Sequence, residues 1–369
     1  MHKKFALSVA ALALTLLALE IGWRFYVTNF GAQQQKMLYL YSRAEIDTLQ
    51  SLYRPLPFVN YGLTPNRDDV NSLGYRGPEI TQPKPADRFR IVALGGSTTY
   101  GGYLAGYESA WPHKLERLLV DDYGYSQVEV VNAGVPAYSS YETAVNFLLR
   151  VQDLGPDMII MYHATNDVRA RLVDPADYQG GYELRGAWQS LGQALPASAL
   201  QRLFMHRLGD SLQLAFSLDD RLPPPTHLRG CQLDTSGAEA VCVNLGLAAA
   251  QVLAANPPIY FQRNLENIIS MAQSRDIATL LLTWAYSPYV YDAPNGDVMS
   301  QPFRQAAVAE HNAIIRGLAE ERDTLFYDMA ANMPSGRKYW FNGVHQSEAG
   351  TSEMARQLSG YLAGSGALD

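Results

Sequence analysis

Apolar and polar positions alternate between two periods along residues 86–366. Five short apolar runs that end in small or polar residues predict buried strands, over 89–94 (Phe89-Arg90-Ile91-Val92-Ala93-Leu94), 128–134, 157–163, 277–284 and 324–328. Between and after them, apolar residues recur at helical spacing. These stretches run from Trp111 to Leu119 with Pro112 in the first turn, Tyr141 to Val151 behind Ser139 and Ser140 as caps, Phe261 to Ala272, and Ala307 to Leu318. A last one carries Met354, Leu358, Tyr361 and Leu362. Apolar strands separated by helices imply a parallel sheet covered on both faces. The expected fold is therefore α/β, a three-layer α/β/α doubly wound parallel sheet of the flavodoxin-like kind with about five strands.

Two regions break the alternation. Lys3 and Lys4 precede an apolar run from Phe5 to Leu19; Glu20 interrupts it before Ile21 to Val27, and Trp23, Arg24 and Tyr26 suit a membrane interface. Residues 1–28 are expected to form a membrane anchor or signal segment. Leu17-Ala18-Leu19-Glu20 is a poor cleavage site, which favours an uncleaved transmembrane helix over a signal peptide. Residues 29–85, with Tyr53-Arg54-Pro55-Leu56-Pro57 and Gln82-Pro83-Lys84-Pro85, suggest an extended juxtamembrane linker. The second region, 172–258, reads as an insertion over the carboxyl edge of the sheet. It holds Tyr178, Tyr182 and Trp188, a helical pattern over 197–216, and Pro223-Pro224-Pro225.

Composition narrows the class. A length of 369 residues, 47% hydrophobic, supports one α/β domain with appendages, and a formal charge of −7 argues against nucleic acid as a partner. The only cysteines, Cys231 and Cys242, are expected to pair in an exported chain. They lack a CxxC spacing and the seven histidines form no close ligand pair, so neither metal nor cofactor is expected.

The candidate chemistry lies at strand ends. Gly95-Gly96-Ser97-Thr98-Thr99 follows the first strand, where a serine hydroxyl is exposed near backbone N–H groups. It lacks the Lys-Ser/Thr of a phosphate-binding loop and the spacing of a dinucleotide fingerprint. Asn132-Ala133-Gly134 ends the second strand, His163-Ala164-Thr165-Asn166-Asp167 follows the third, and Asn342-Gly343-Val344-His345 precedes the last helix.

These four blocks, in this order, resemble the SGNH (GDSL-type) hydrolase family over roughly residues 86–365. The resemblance implies Ser97 as nucleophile, His345 as base, and Ser97, Gly134 and Asn166 as the oxyanion hole. Two positions depart from the family pattern: Ala164 replaces a glycine, and Asn342 stands where an aspartate usually orients the histidine. His345 must then be oriented by a backbone carbonyl, by another acid such as Asp328 or Asp167, or by the amide oxygen of Asn342, unless catalysis has been lost. Asn71-Ser72-Leu73-Gly74-Tyr75-Arg76-Gly77-Pro78-Glu79 resembles a stretch found before the first block in membrane-anchored members. It is expected to cover a sheet edge, with Arg76 in a structural ion pair. His163 is expected to be satisfied by backbone, and His311 and Asn312 to lie at the surface or in a cap.

The resemblance implies a serine esterase that removes acetyl or other short acyl groups from an envelope glycan or lipid. An O-acyltransferase using the same serine and histidine, and a non-catalytic glycan-binding protein, are the alternatives. The expected location is the inner membrane, single-pass through the N-terminal helix, with the enzyme domain periplasmic or extracellular; secretion after signal cleavage is the alternative.

Overall fold

A computed structural model of the chain describes residues 2–30, 52–54, 56, 58–59, 61–178, 230–237, 239–289 and 299–368. Two units divide the chain, Met1–Arg54 with Arg185–Thr226, and Pro55–Leu184 with His227–Asp369. In the first, helix α1 (His2–Phe30) is 29 residues long. At ~1.5 Å per residue it extends about 43 Å, more than the ~30 Å hydrocarbon thickness of a bilayer. Its stretch Lys3–Phe30 is long and apolar enough to cross a membrane. Glu20 and Arg24, one turn apart, pair at 2.6 Å, which lowers the cost of carrying both charges on an apolar helix.

The second unit follows the predicted alternation. Its elements are β1 (Phe89–Gly95), α2 (Ser97–Tyr100), α3 (Trp111–Asp121), β2 (Val128–Asn132), α4 (Ser140–Leu149), β3 (Met158–Tyr162) and α5 (Thr165–Arg171). After these come α6 (Ala249–Ala255), α7 (Ile259–Gln273), β4 (Ala278–Leu282), α8 (Pro302–Glu321), β5 (Leu325–Tyr327), α9 (Met329–Asn332) and α10 (Glu348–Ser365). The sheet order is β5-β4-β3-β1-β2 and every neighbouring pair is parallel. This is the doubly wound arrangement, and the strand order reverses between β1 and β3.

Side chains alternate across the sheet into two cores. Ile91, Ala93, Met158, Ile160, Leu280 and Leu282 pack with Trp111, Leu115 and Leu119 of α3 and Met354, Leu358 and Leu362 of α10. Val92, Leu94, Ile159, Met161 and Leu281 pack with Phe147 of α4 and Phe261, Leu265, Ile268 and Ile269 of α7. Ser139 and Glu142 form a capping box at the start of α4, as the serines there suggested. Helix α8 begins five residues earlier than its apolar period, at Pro302, since the first turn needs no proline N–H.

Several expectations change. Residues 61–85 are not a free linker: Tyr61, Leu63, Val70 and Tyr75 are buried, and the Tyr61 hydroxyl donates to Pro136 O at 2.8 Å. Arg76 bridges Asn132 in antiparallel fashion, so this segment does cover the β2 edge. His311 and Asn312 are core residues, because helix α8 turns that face onto the sheet. His311 is fully buried, and Asn312 exchanges hydrogen bonds with the backbone of Trp284 at 2.7 and 3.0 Å. His163 is satisfied by the Thr143 hydroxyl at 3.0 Å rather than by backbone.

In the expected insertion, Cys231 and Cys242 form a disulfide, and the strands Leu233–Asp234, Val241–Cys242 and Leu247–Ala248 make a small antiparallel ribbon. Tyr178 packs edge-on against Tyr260 and donates to Pro257 O. The helix expected over 197–216, with Tyr182, Trp188 and the proline triplet, lies outside the described residues.

Candidate active site

Ser97 opens helix α2 immediately beyond β1, at the carboxyl end of the strand where the sheet order reverses. Two glycines make this turn feasible. A Cβ on Gly95 would lie 2.0 Å from Thr99 Oγ1, and one on Gly96 would lie 2.8 Å from Asn166 Nδ2. Lacking both, the chain folds back sharply and admits the Asn166 amide beside the serine turn. The far end of α2 is held by Arg76. Its buried guanidinium donates to Tyr100 O at 2.7 Å and Gly101 O at 2.9 Å, pairs with Asp69 at 3.2 Å, and lies 4.3 Å from the Tyr100 ring centre. These are carbonyls that a helix end leaves without intrahelical donors.

His345 arrives on the loop between α9 and α10. That loop closes on itself through Phe341 N to His345 O at 2.9 Å, and Ser287 N, just past β4, donates to Gly343 O at 3.0 Å. Gln346 reaches the Tyr162 hydroxyl at the end of β3, and Ser347 caps α10. The result brings together residues 248 positions apart: Ser97 Oγ lies 2.8 Å from His345 Nε2.

Asn342 occupies the position behind the imidazole. Its Oδ1 lies 3.2 Å from His345 Nδ1 and also accepts from His345 N at 2.7 Å and Val344 N at 2.9 Å. The two backbone donors fix the amide orientation, because an inverted amide would set NH2 against two N–H groups. The oxygen therefore faces the ring and selects the tautomer with hydrogen on Nδ1, leaving Nε2 free to accept from Ser97. The other proposed orienters are engaged elsewhere. Asp328 binds Thr283 and Arg316 and caps α9, while Asp167 accepts from Ser140 N and Oγ.

Charge follows from this arrangement. Burial with no facing carboxylate pushes His345 down to about 4, so it is neutral near pH 7. Burial likewise pushes His163 down to about 3 and raises Asp167 to about 7.

The oxyanion candidates differ in their freedom. Asn166 Nδ2 spends one hydrogen on Tyr138 O at 2.8 Å and keeps a second. Ser97 N–H belongs to the first turn of α2, where no intrahelical acceptor exists. Gly134 N–H already donates to Asn132 Oδ1 at 3.0 Å, and a Cβ there would strike Tyr100 N at 2.4 Å, so this glycine serves close packing behind α2. In the same segment Ala137 holds φ 65°, uncommon for a residue with a Cβ, and adjoins Tyr138. The apolar pattern carried no signal for Ala137; a left-handed alanine shows only in the backbone.

The sequence matches the model of the GDSL-like lipase/acylhydrolase family over residues 93–352. The chain belongs to this family. As a GDSL-like protein it is a serine ester hydrolase. No curated protein matches it. Similar solved structures include a lipase/acylhydrolase from Enterococcus faecalis, with 16% identity over 75% of this chain and 96% of that one and a TM-score of 0.42. A GDSL-like lipase from Bacteroides thetaiotaomicron has 15% identity over 76% and 92%, with a TM-score of 0.40. A variant of Axe2, an acetyl xylan esterase from Geobacillus stearothermophilus, has 13% identity over 75% and 96%, with a TM-score of 0.42.

Proposed function

We propose that this GDSL-like hydrolase removes acetyl or other short acyl groups from O-acylated envelope glycan or lipid, through an acyl ester on Ser97. The observation that carries the reading is the 2.8 Å approach of Ser97 Oγ to His345 Nε2, with Nδ1 held by an oriented amide oxygen. His345 takes the hydroxyl proton as Oγ attacks the ester carbonyl. The tetrahedral oxyanion is met by Ser97 N–H and Asn166 Nδ2, and by Gly134 N–H in exchange for its bond to Asn132 Oδ1. Each well-placed donor contributes roughly 3–4 kcal/mol. His345 protonates the leaving alcohol, and water then releases the acid by the same steps in reverse.

In this reading α1 is an uncleaved single-pass anchor in the inner membrane, with the hydrolase unit on the periplasmic or extracellular side. The apolar helix behind two lysines, and a disulfide that needs an oxidising compartment, support it. A fluorophosphonate probe is expected to label Ser97, with labelling and ester turnover both lost in Ser97→Ala. Turnover that survives that substitution would overturn the proposal.

A further inference from the structure

Beside Ser97 and His345 stands a pair of aromatic rings that the hydrolytic steps do not use. The turn after α2 runs against both residues: a Cβ on Gly102 would lie 3.6 Å from Ser97 Cβ and 3.8 Å from His345 Cδ2. The next residue, Tyr103, has φ 70° and is 64% exposed. Its ring stacks on Phe341, itself 44% exposed, with centres 4.8 Å apart and planes 16° apart. It also meets the His345 ring edge to face at 4.7 Å. Among the described residues the Tyr103 hydroxyl has no hydrogen-bond partner. A large ring is thus kept in water by a left-handed backbone that costs energy, at the rim of the reacting pair. Such costs persist where the surroundings enforce them and cluster at ligand sites.

We propose that Tyr103, backed by the stacked Phe341, forms a platform for the pyranose ring that carries the scissile ester. This deepens the esterase reading above and rests on it. An alkyl chain gains most from a slot that closes round it and removes its surface from water. The two rings cover each other's facing sides, so a ligand meets only an outer face, which is flat and in water rather than part of a slot. A pyranose has one face of weakly positive C–H groups that suits the negative face of an aromatic ring, and an edge of hydroxyls that stays hydrated. The unpaired Tyr103 hydroxyl offers that edge a partner and fixes orientation. With the sugar seated there, an acyl group on a ring oxygen is presented to Ser97 rather than to solvent.

The test compares a mono-O-acetyl methyl glucopyranoside with vinyl acetate and vinyl octanoate. In Tyr103→Ala and in Phe341→Ala the ratio of kcat/KM for the sugar ester to that for vinyl acetate is expected to fall about tenfold, mostly through KM, while Tyr103→Trp retains it. An unchanged ratio, a loss equal on both acetates, or a loss confined to vinyl octanoate would overturn the platform. Saturation transfer from Ser97→Ala protein to the acetylated glucoside gives a readout without turnover. It is expected to vanish when Tyr103→Ala is added, and its persistence would overturn the proposal. If the wild type hydrolyses no ester yet saturation transfer depends on Tyr103, the esterase reading fails and the sugar site stands.

Discussion

At the residue scale the decisive feature is an amide where a carboxylate would stabilise the imidazolium. In serine proteases the corresponding exchange costs about 10⁴-fold in turnover, chiefly because the tautomer is wrong. Here two backbone N–H groups hold Asn342 Oδ1 toward the ring, so the tautomer is right and only the charge is missing. Asn342→Asp is therefore expected to raise kcat by about tenfold, far short of that figure. The sign in pH follows from the same geometry. Catalysis needs neutral His345, whose ordinary value of about 6.5 is lowered by burial to about 4, so wild-type kcat/KM should climb through about pH 4 and then level off. A facing carboxylate favours the protonated ring, and in Asn342→Asp the acid limb should move upward. A pH–rate profile of both proteins checks this. Asn342→Ala strands two backbone donors and frees the ring; turnover should drop about 10²-fold and stability by about 1–3 kcal/mol in urea unfolding.

Among the elements, α2 matters most and was least visible in advance. Four residues are too few to show a helical period, and only the glycines before Ser97 hinted at the turn. The five strands and the long helices were legible because burial on both faces demands unbroken apolar runs and a packed helix demands a 3.6-residue stripe. Short helices such as α5, α6 and α9 carry no such stripe; they are set by the strands they follow and by caps such as Asp328 on α9. Arg76 belongs to this scale, since its guanidinium joins the carbonyls at the end of α2 to Asp69. Its neighbours in sequence, Tyr75 and Gly77, gave no hint of that reach. Arg76→Lys keeps the charge but loses the fork, and is expected to lower kcat with little change in KM. Arg76→Ala is expected to cost about 1–3 kcal/mol by thermal or denaturant unfolding, because the Tyr100 and Gly101 carbonyls lose their donors.

For the molecule as a whole, the division into two units sets the apolar N-terminal helix apart from the chemistry. The apolar helix α1 belongs to one unit and Ser97, Asn166, Asn342 and His345 all belong to the other. Deleting residues 2–30 should therefore release a soluble enzyme that keeps its kcat/KM on small esters, while the full chain stays with membranes after carbonate washing. Release of the full chain by that wash would argue against a spanning anchor.

The fold class, the strand and helix order, the apolar N-terminal helix and the family could all be read along the chain, because these rest on local periodicity and on short blocks whose residues are neighbours in it. Which groups meet which emerged from packing alone. Ser97 meets His345 across 248 positions, Asn342 rather than a distant aspartate faces the imidazole, and Gly134 gives its N–H to Asn132. Tyr103 and Phe341 come to stack face to face beside them. Hydrogen bonds and ring contacts depend on atoms brought within a few ångströms by packing, and no pattern along the chain records those distances.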